Sequence, residues 1–150
     1  MTTSIELPAT LGRDVAGTIE AMGEKVAGFD LGDDVFAFLS KNSGGYAEYA
    51  LAEENEIAPK PETLDFISAA AVLLAATTAW QGLFDHGELE EGQRVLIHGA
   101  VGGVGLFAVQ FAKVRGATVI ATGRKDDFPC SIGWAPIKRS ITNRRNLKIS

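Results

Sequence analysis

The sequence predicts an α/β protein with a β-rich first part and a strand–helix–strand unit after it. Two observations carry this prediction. Short apolar segments separated by Gly and Asp turns fill the first 60 residues, which is typical of a small barrel or sandwich. From Arg94 onward a strand pattern, a glycine-rich loop, a helix pattern and a second strand pattern follow one another, within the span of about 30 residues that a βαβ unit needs.

In the first part, strands are predicted over residues 15–21 and 33–39, and over residues 46–51, where YAEYAL alternates aromatic and small side chains. Pro59-Lys60-Pro61 then marks a boundary, because both prolines stiffen the chain and remove main-chain donors. We therefore expect one domain over residues 1–62 and a second over residues 63–129.

The second part begins with helix patterns. Asp65 can cap a helix that enters the alanine-rich residues 69–76, and a further helical stretch reaches Gly87, a plausible C-cap. Strands are predicted over residues 94–98 and 118–122, with a helix over residues 106–115 between them. Because both strands are continuously apolar, we expect a parallel sheet that is covered on both faces.

The glycine-rich loop, residues 99–105, is the candidate binding site. It reads A-x-G-x-x-G, with Ala100 where the first glycine of a pyrophosphate fingerprint would stand. Gly102 would let the main chain approach phosphates, and the helix N-terminus that follows attracts anions. The predicted cofactor-binding residues of the loop are Ala100, Val101, Gly102, Gly103 and Val104. The alternative is a glycine-rich turn that binds no ligand.

The end of the second strand predicts the choice of cofactor. An acidic residue here would bind the ribose 2′-hydroxyl of NAD, but the chain has Gly123, Arg124 and Lys125. Two cations would donate charge-assisted hydrogen bonds to a 2′-phosphate, so NADP is the predicted cofactor. The alternative is that these cations are ordinary solvated loop charges.

Five segments together resemble the medium-chain dehydrogenase/reductase superfamily, in its zinc-independent, quinone-oxidoreductase-like branch. They are LGRDVAG (11–17), GGYAEY (44–49), APKP (58–61), TAW (78–80) and RVLIHGAVGGVG (94–105). The resemblance implies a partial GroES-like catalytic domain over residues 1–62 and a truncated NADP-binding Rossmann domain over residues 63–129, with both ends of the parent missing. It also places Thr78 near the nicotinamide; the alternative for Thr78 is a buried helix threonine that bonds its own main chain.

Composition and charge exclude several other classes. The formal net charge of −5 argues against nucleic-acid and membrane partners.

Zinc-containing relatives carry a His-Glu pair where this chain has Arg13-Asp14, and Arg is not an ordinary zinc ligand, so no metal is expected and Asp14 is interpreted as structural. No apolar stretch reaches the ~18–20 residues that span a bilayer, and no secretory signal is recognised. A cytoplasmic location and a homodimeric parent are expected.

The tail, residues 130–150, shows no clean strand or helix period and is expected to be irregular. Relatives carry a motif like LGAD-x-x-IDY in this region. If synonymous codons of residues 133–142 are read two nucleotides out of frame, they can spell LGADQAIDY. A frameshift near Cys130 is therefore the hypothesis for the tail, and the gene sequence tests it.

The function that these patterns predict is hydride transfer from NADPH to a small electrophile, a quinone or an α,β-unsaturated carbonyl. No residue is a convincing proton donor, so the catalytic residues stay unassigned. One alternative is the enoyl-thioester reductase piece of a fatty-acid or polyketide synthase. Another is a non-catalytic, truncated or pseudogene product, which the missing ends favour. A sheet of only two parallel strands would also leave an open edge, so we expect the isolated chain to be unstable and inactive.

Overall fold

The computed structural model describes residues 8–40, 43–123, 138–143 and 146–147. The chain divides into two compact units, Met1–Leu74 and Ala75–Ser150. Each unit contains one sheet, and the two sheets differ in type: the first is antiparallel and the second has a parallel centre. This matches the predicted α/β class, with the β-rich part first.

The sheet of the first unit has the order β1-β2-β3, with β1 at Asp14–Thr18, β2 at Asp34–Phe38 and β3 at Ile57–Pro59. Neighbouring strands are antiparallel, with Ala16 opposite Phe36 and Phe36 opposite Ala58. A 3₁₀ turn at Glu54–Glu56 leads into β3. The first two predicted strands are confirmed, each shorter than expected.

The third predicted strand, residues 46–51, is wrong, because the segment consists of bends. The main-chain N–H groups of Gly45 and Tyr46 donate to the carbonyls of Gly12 and Leu11 at 2.9 and 2.8 Å. After these two bonds the segment runs exposed, and the Tyr49 side chain is 72% exposed. The alternation of aromatic and small residues therefore has no buried face to stabilise a strand.

The predicted helix after Asp65 is confirmed, but it is interrupted. Helix α1 spans Phe66–Ala70, and the Asp65 carboxylate caps it by accepting from the Ser68 N–H at 2.7 Å. Helix α2 spans Leu73–Trp80 and continues into a π-helical turn at Gln81–Asp85. Trp80 and Phe84 then meet edge to face, with ring centroids 4.7 Å apart.

The second unit contains the predicted βαβ unit. Strand β4 is Arg94–Ile97, helix α3 is Gly103–Val114, and β5 is Thr118–Gly123. The two strands are parallel, with Arg94 opposite Thr118 and Ile97 opposite Ala121. Buried alanine and branched aliphatic side chains of β4, α3 and β5 form the core, which includes Ile97, Ala108, Val109, Ala112, Val119 and Ala121.

The tail contains strands that the sequence did not predict. Strand β6, Lys138–Asn143, pairs in parallel with β5, and β7, Asn146–Leu147, pairs antiparallel with β6. The sheet order is β4-β5-β6-β7. The expectation of an irregular tail and of two strands with β5 at an open edge is therefore wrong, because β6 continues the main-chain hydrogen bonding. Cys130 and most of the other tail residues lie outside the described residues, and the frameshift hypothesis stays a prediction.

Within the described residues, none of the helices has the length and apolar character required to cross a membrane. The longest α-helix in this part of the chain, α3, has 12 residues, against the roughly 20 that a bilayer core demands.

Candidate functional site

The glycine-rich loop makes a tight turn directly after β4. Gly99 has φ +62, a left-handed conformation that glycine adopts without the steric cost a Cβ would bring. The N–H of Gly102 closes the turn by donating to the Gly99 carbonyl at 2.9 Å. The tight turn of the loop is thus made by Gly99, which stands one position before Ala100, where a fingerprint would have its first glycine.

Helix α3 begins inside the loop, earlier than predicted. Gly102 is its N-cap residue, with φ −80 and ψ 170 and no side-chain cap, and the first N–H groups of a helix have no partner within the helix. Gly102, Gly103 and Val104 are all exposed. A Cβ on Gly103 would meet no atom within 4 Å, so no other part of the described protein crowds this position.

Gly105 lets α3 pack closely against the loop. It is buried, and a Cβ built on it would overlap the Gly99 carbonyl oxygen and lie 2.7 Å from the Ala100 Cα. Since both obstacles are main-chain atoms, they cannot rotate away as a flexible side chain would. Gly105 therefore permits the close packing of α3 against the start of the loop.

The remaining predicted residues of the loop and strand end meet at the carboxyl end of the sheet. Ala100 is fully buried, and its N–H donates to the Thr122 carbonyl at 3.0 Å. Val101 is half-buried, and Gly123 is buried at the end of β5. The structure therefore brings the loop and the end of β5 together. Ala100 lies beneath the loop, with its N–H already donated to the protein.

The three other predicted site residues are Arg124, Lys125 and Thr78. Arg124 and Lys125 lie outside the described residues, so their assignment to a 2′-phosphate stays a prediction. Thr78 occupies an exposed position on α2, so it lacks the burial that the alternative assumed. Its assignment to the nicotinamide also stays a prediction.

Arg13 and Asp14, which stand where zinc-containing relatives have ligands, both make contacts with the protein itself. The Arg13 Nε donates to the Leu39 carbonyl at 2.6 Å, and its guanidinium lies 4.1 Å from the centre of the Phe38 ring. The Asp14 Oδ1 accepts from the N–H of Leu74, in the first turn of α2, at 2.8 Å. Asp14 thus has a hydrogen-bonding role as predicted. Among the described residues, no three His, Cys, Asp or Glu side chains form a group that could hold a metal.

Sequence reasoning missed two residues that hold the loop, His98 and Thr122. The Thr122 side chain is 1% exposed, and its Oγ1 lies 3.0 Å from the His98 Nδ1. The signal was present in the sequence, because Thr122 is the one polar residue late in an otherwise apolar strand, and such a hydroxyl needs a partner when it is buried.

Comparisons with known proteins agree with this architecture. Residues 1–62 match the family model of the alcohol dehydrogenase GroES-like domain. Over 121 residues the chain is 47% identical to quinone oxidoreductase of Mus musculus, covering 81% of this chain and 36% of the relative. The chain belongs to the medium-chain dehydrogenase/reductase superfamily. It spans about a third of the length of such curated relatives.

Two solved structures of this superfamily extend the comparison to the fold. Escherichia coli quinone oxidoreductase, solved in complex with NADPH, has a TM-score of 0.81 at 30% identity and covers 95% of this chain and 43% of its own. The CurK enoyl reductase has a TM-score of 0.78 at 37% identity and covers 92% of this chain and 40% of its own. Both similarities extend well beyond the GroES-like region of residues 1–62.

Proposed function

We propose that the protein is an NADP-dependent oxidoreductase that transfers hydride to a small, electron-poor acceptor, either a quinone or an α,β-unsaturated carbonyl. The observation that carries the proposal is the exposed start of α3 at the carboxyl end of a parallel sheet, where the N–H groups of Gly103 and Val104 have no acceptor within the helix and no side chain of residue 102 or 103 covers them. Such a site favours anionic phosphate groups. The similarity to quinone oxidoreductases supports the acceptor class.

The described residues fit the pyrophosphate of a dinucleotide. The N–H groups of Gly103 and Val104 would donate to it, with roughly +0.5 of an elementary charge at the helix N-terminus. Gly102 is exposed and has no side chain, which would keep the approach of the pyrophosphate open. A Cβ at this position would have one neighbour within 4 Å, the Gly99 oxygen at 3.3 Å. Arg124 and Lys125 would meet the 2′-phosphate, and Thr78 would lie near the nicotinamide.

The cofactor and the protein would have different roles in the reaction. When bound, the nicotinamide supplies the hydride, and the protein supplies orientation and polarity. The loop would hold the phosphate end of the dinucleotide. No side chain is assigned as a proton donor, no metal is invoked, and neither nucleic acid nor membrane is expected as a partner.

The test is quinone-dependent oxidation of NADPH by the purified chain, followed at the absorbance of the reduced nicotinamide. In contrast to the expectation of an inactive isolated chain, the proposal predicts turnover that requires both the quinone and NADPH, with NADH a poorer donor. Binding of NADPH without turnover on any quinone or enone would favour a non-catalytic nucleotide-binding product. Absence of both binding and turnover would contradict the proposal.

A second candidate function is reduction of an enoyl thioester, and the similarity to the CurK enoyl reductase favours it. The same nucleotide site would serve this reaction, and only the acceptor would differ. Comparing kcat/KM for a quinone with that for a short enoyl thioester under identical conditions distinguishes the two. A ratio strongly in favour of the thioester would assign the chain to the second function.

A further inference from the structure

Thr122 combines burial and polarity at a point next to the candidate phosphate site. Among the described residues, it is the one buried residue with a polar side chain, and it sits one position before the end of β5. The residues buried nearby in the core are aliphatic, among them Val119 and Ala121. A hydroxyl in such surroundings is costly unless it forms hydrogen bonds, so its partners indicate what it is there to hold.

Those partners are three consecutive residues at the start of the loop. Thr122 Oγ1 lies 3.0 Å from His98 Nδ1 and accepts from the Gly99 N–H at 3.4 Å. The Thr122 carbonyl accepts from the Ala100 N–H at 3.0 Å. Thr122 of β5 thus stabilises the junction between the end of β4 and the left-handed turn at Gly99.

The position of the hydroxyl proton follows from the donor and acceptor count. A threonine hydroxyl has one proton to donate and accepts through its lone pairs. Gly99 already uses it as an acceptor. If His98 Nδ1 also carried a proton, the hydroxyl would accept twice, and its own buried proton would need a further acceptor. The balanced arrangement has the hydroxyl donating to an unprotonated Nδ1, which leaves the proton of neutral His98 on Nε2.

We propose that Thr122 is a positioning residue of the glycine-rich loop: its hydroxyl holds the His98 ring in the Nε2–H tautomer and ties Gly99 to the end of β5. The turn at Gly99 in turn places Gly102, the N-cap of α3, through the bond between the Gly102 N–H and the Gly99 carbonyl. The consequence for cofactor affinity rests on the proposed function, whereas the tautomer and the loop bonds do not.

The experiment uses nitrogen-15 NMR on the full chain at about pH 8, where an unperturbed histidine is neutral. His86→Gln assigns the imidazole signals. Thr122→Val replaces the hydroxyl by a methyl group of similar size, Thr122→Ser restores the hydroxyl, and Thr118→Val, at an exposed position of the same strand, is the matched control. The readouts are the His98 tautomer, hydrogen exchange at the Gly99 amide and the Kd for NADPH.

The expected result is an Nε2–H signature for His98 in the unmodified chain, in T122S and in T118V, with a mixture of the Nδ1–H and Nε2–H tautomers in T122V. Exchange at Gly99 should be roughly 3- to 10-fold faster in T122V, the ratio that one net hydrogen bond gives, and the Kd for NADPH should rise by a similar factor. An Nδ1–H tautomer in the unmodified chain overturns the proposal even if T122V does not fold. Unchanged tautomer and exchange in T122V also overturn it. Failure of every variant and of the unmodified chain to bind NADPH would overturn the proposed function alone.

Discussion

Replacing Gly105 with alanine should destabilise the second unit, whereas the same replacement at Gly103 should not. A Cβ at position 105 would overlap the Gly99 carbonyl oxygen and lie 2.7 Å from the Ala100 Cα, while a Cβ at position 103 would meet nothing within 4 Å. Overpacking against atoms that cannot move freely costs about 1–3 kcal/mol. Both glycines are in the first turn of α3, so the gain in helix propensity, up to about 1 kcal/mol, is common to the two variants.

The assay is hydrogen exchange of the main-chain amides of Val119 and Ala121, which lie in β5 and are fully buried. Exchange of these amides reports the opening of the unit and needs no sharp thermal transition. The steric difference predicts exchange roughly 5- to 150-fold faster in Gly105→Ala than in Gly103→Ala. Equal exchange in the two variants would refute the close approach of α3 to the loop, on which the geometry of the candidate site depends.

Three further predictions address the charged residues. Arg124→Glu combined with Lys125→Ala should change the preference from NADPH to NADH, with a change of about tenfold or more in the ratio of the two Kd values if one charge-assisted hydrogen bond is lost. Calorimetry measures both Kd values, and tighter binding of NADH than of NADPH by the unmodified chain would count against the assignment of Arg124 and Lys125 to the 2′-phosphate. Asp14→Ala should lower the free energy of unfolding by about 1 kcal/mol, because the Leu74 N–H loses the Asp14 carboxylate as an acceptor. Asp14→Asn retains an oxygen, so the free energy measured by urea unfolding should fall less in that variant. Hydrogen bonds from Ser68 lower the pKa of Asp65, so the stability that its carboxylate contributes is present above the ordinary carboxyl pKa and is lost as the pH falls through the lowered pKa. The free energy of unfolding of Asp65→Ala should therefore change less than that of the unmodified chain over this pH range.

The sequence predicted the βαβ unit well because its strands and helix are specified by local pattern. Strand β5 is an almost continuous apolar run, and the helix pattern that follows the loop is bounded by glycines. The start of α3 was predicted at residue 106 but lies at Gly103. Glycine has low helix propensity, so propensity alone placed the boundary too late. The loop itself supplies the first turn of the helix.

Two misses arose where long-range contacts decide the structure. Residues 46–51 alternate like a strand but form bends after only two main-chain bonds. Conversely, β6 has the polar sequence KRSITN and forms because β5 offers a parallel partner. Strand preference depends strongly on the partner and the surroundings, and neither is visible in a local pattern.

The sequence predicted the glycine-rich loop but not the contacts that hold it in place. The motif identified the loop from Ala100 to Val104, and the structure places Gly102 to Val104 at its exposed end. What the motif did not contain was the left-handed turn at Gly99 and the support from Thr122, because both depend on a neighbour in β5. The loop is therefore defined as much by the strand beside it as by its own glycines.

The central claim, that the start of α3 binds the pyrophosphate of NADP, is tested most directly by calorimetric titration of NADPH into the chain and into its Gly102→Asp and Gly102→Asn variants. Gly102 is the N-cap with φ −80 and ψ 170, a position that Asp and Asn both favour, so both variants should stay folded. Only Asp adds a negative charge where the anion must approach. The account predicts saturable binding of NADPH to the unmodified chain, weaker binding to Gly102→Asn and none detectable to Gly102→Asp; equal affinity of the chain and Gly102→Asp, or no binding to any of the three, would contradict it.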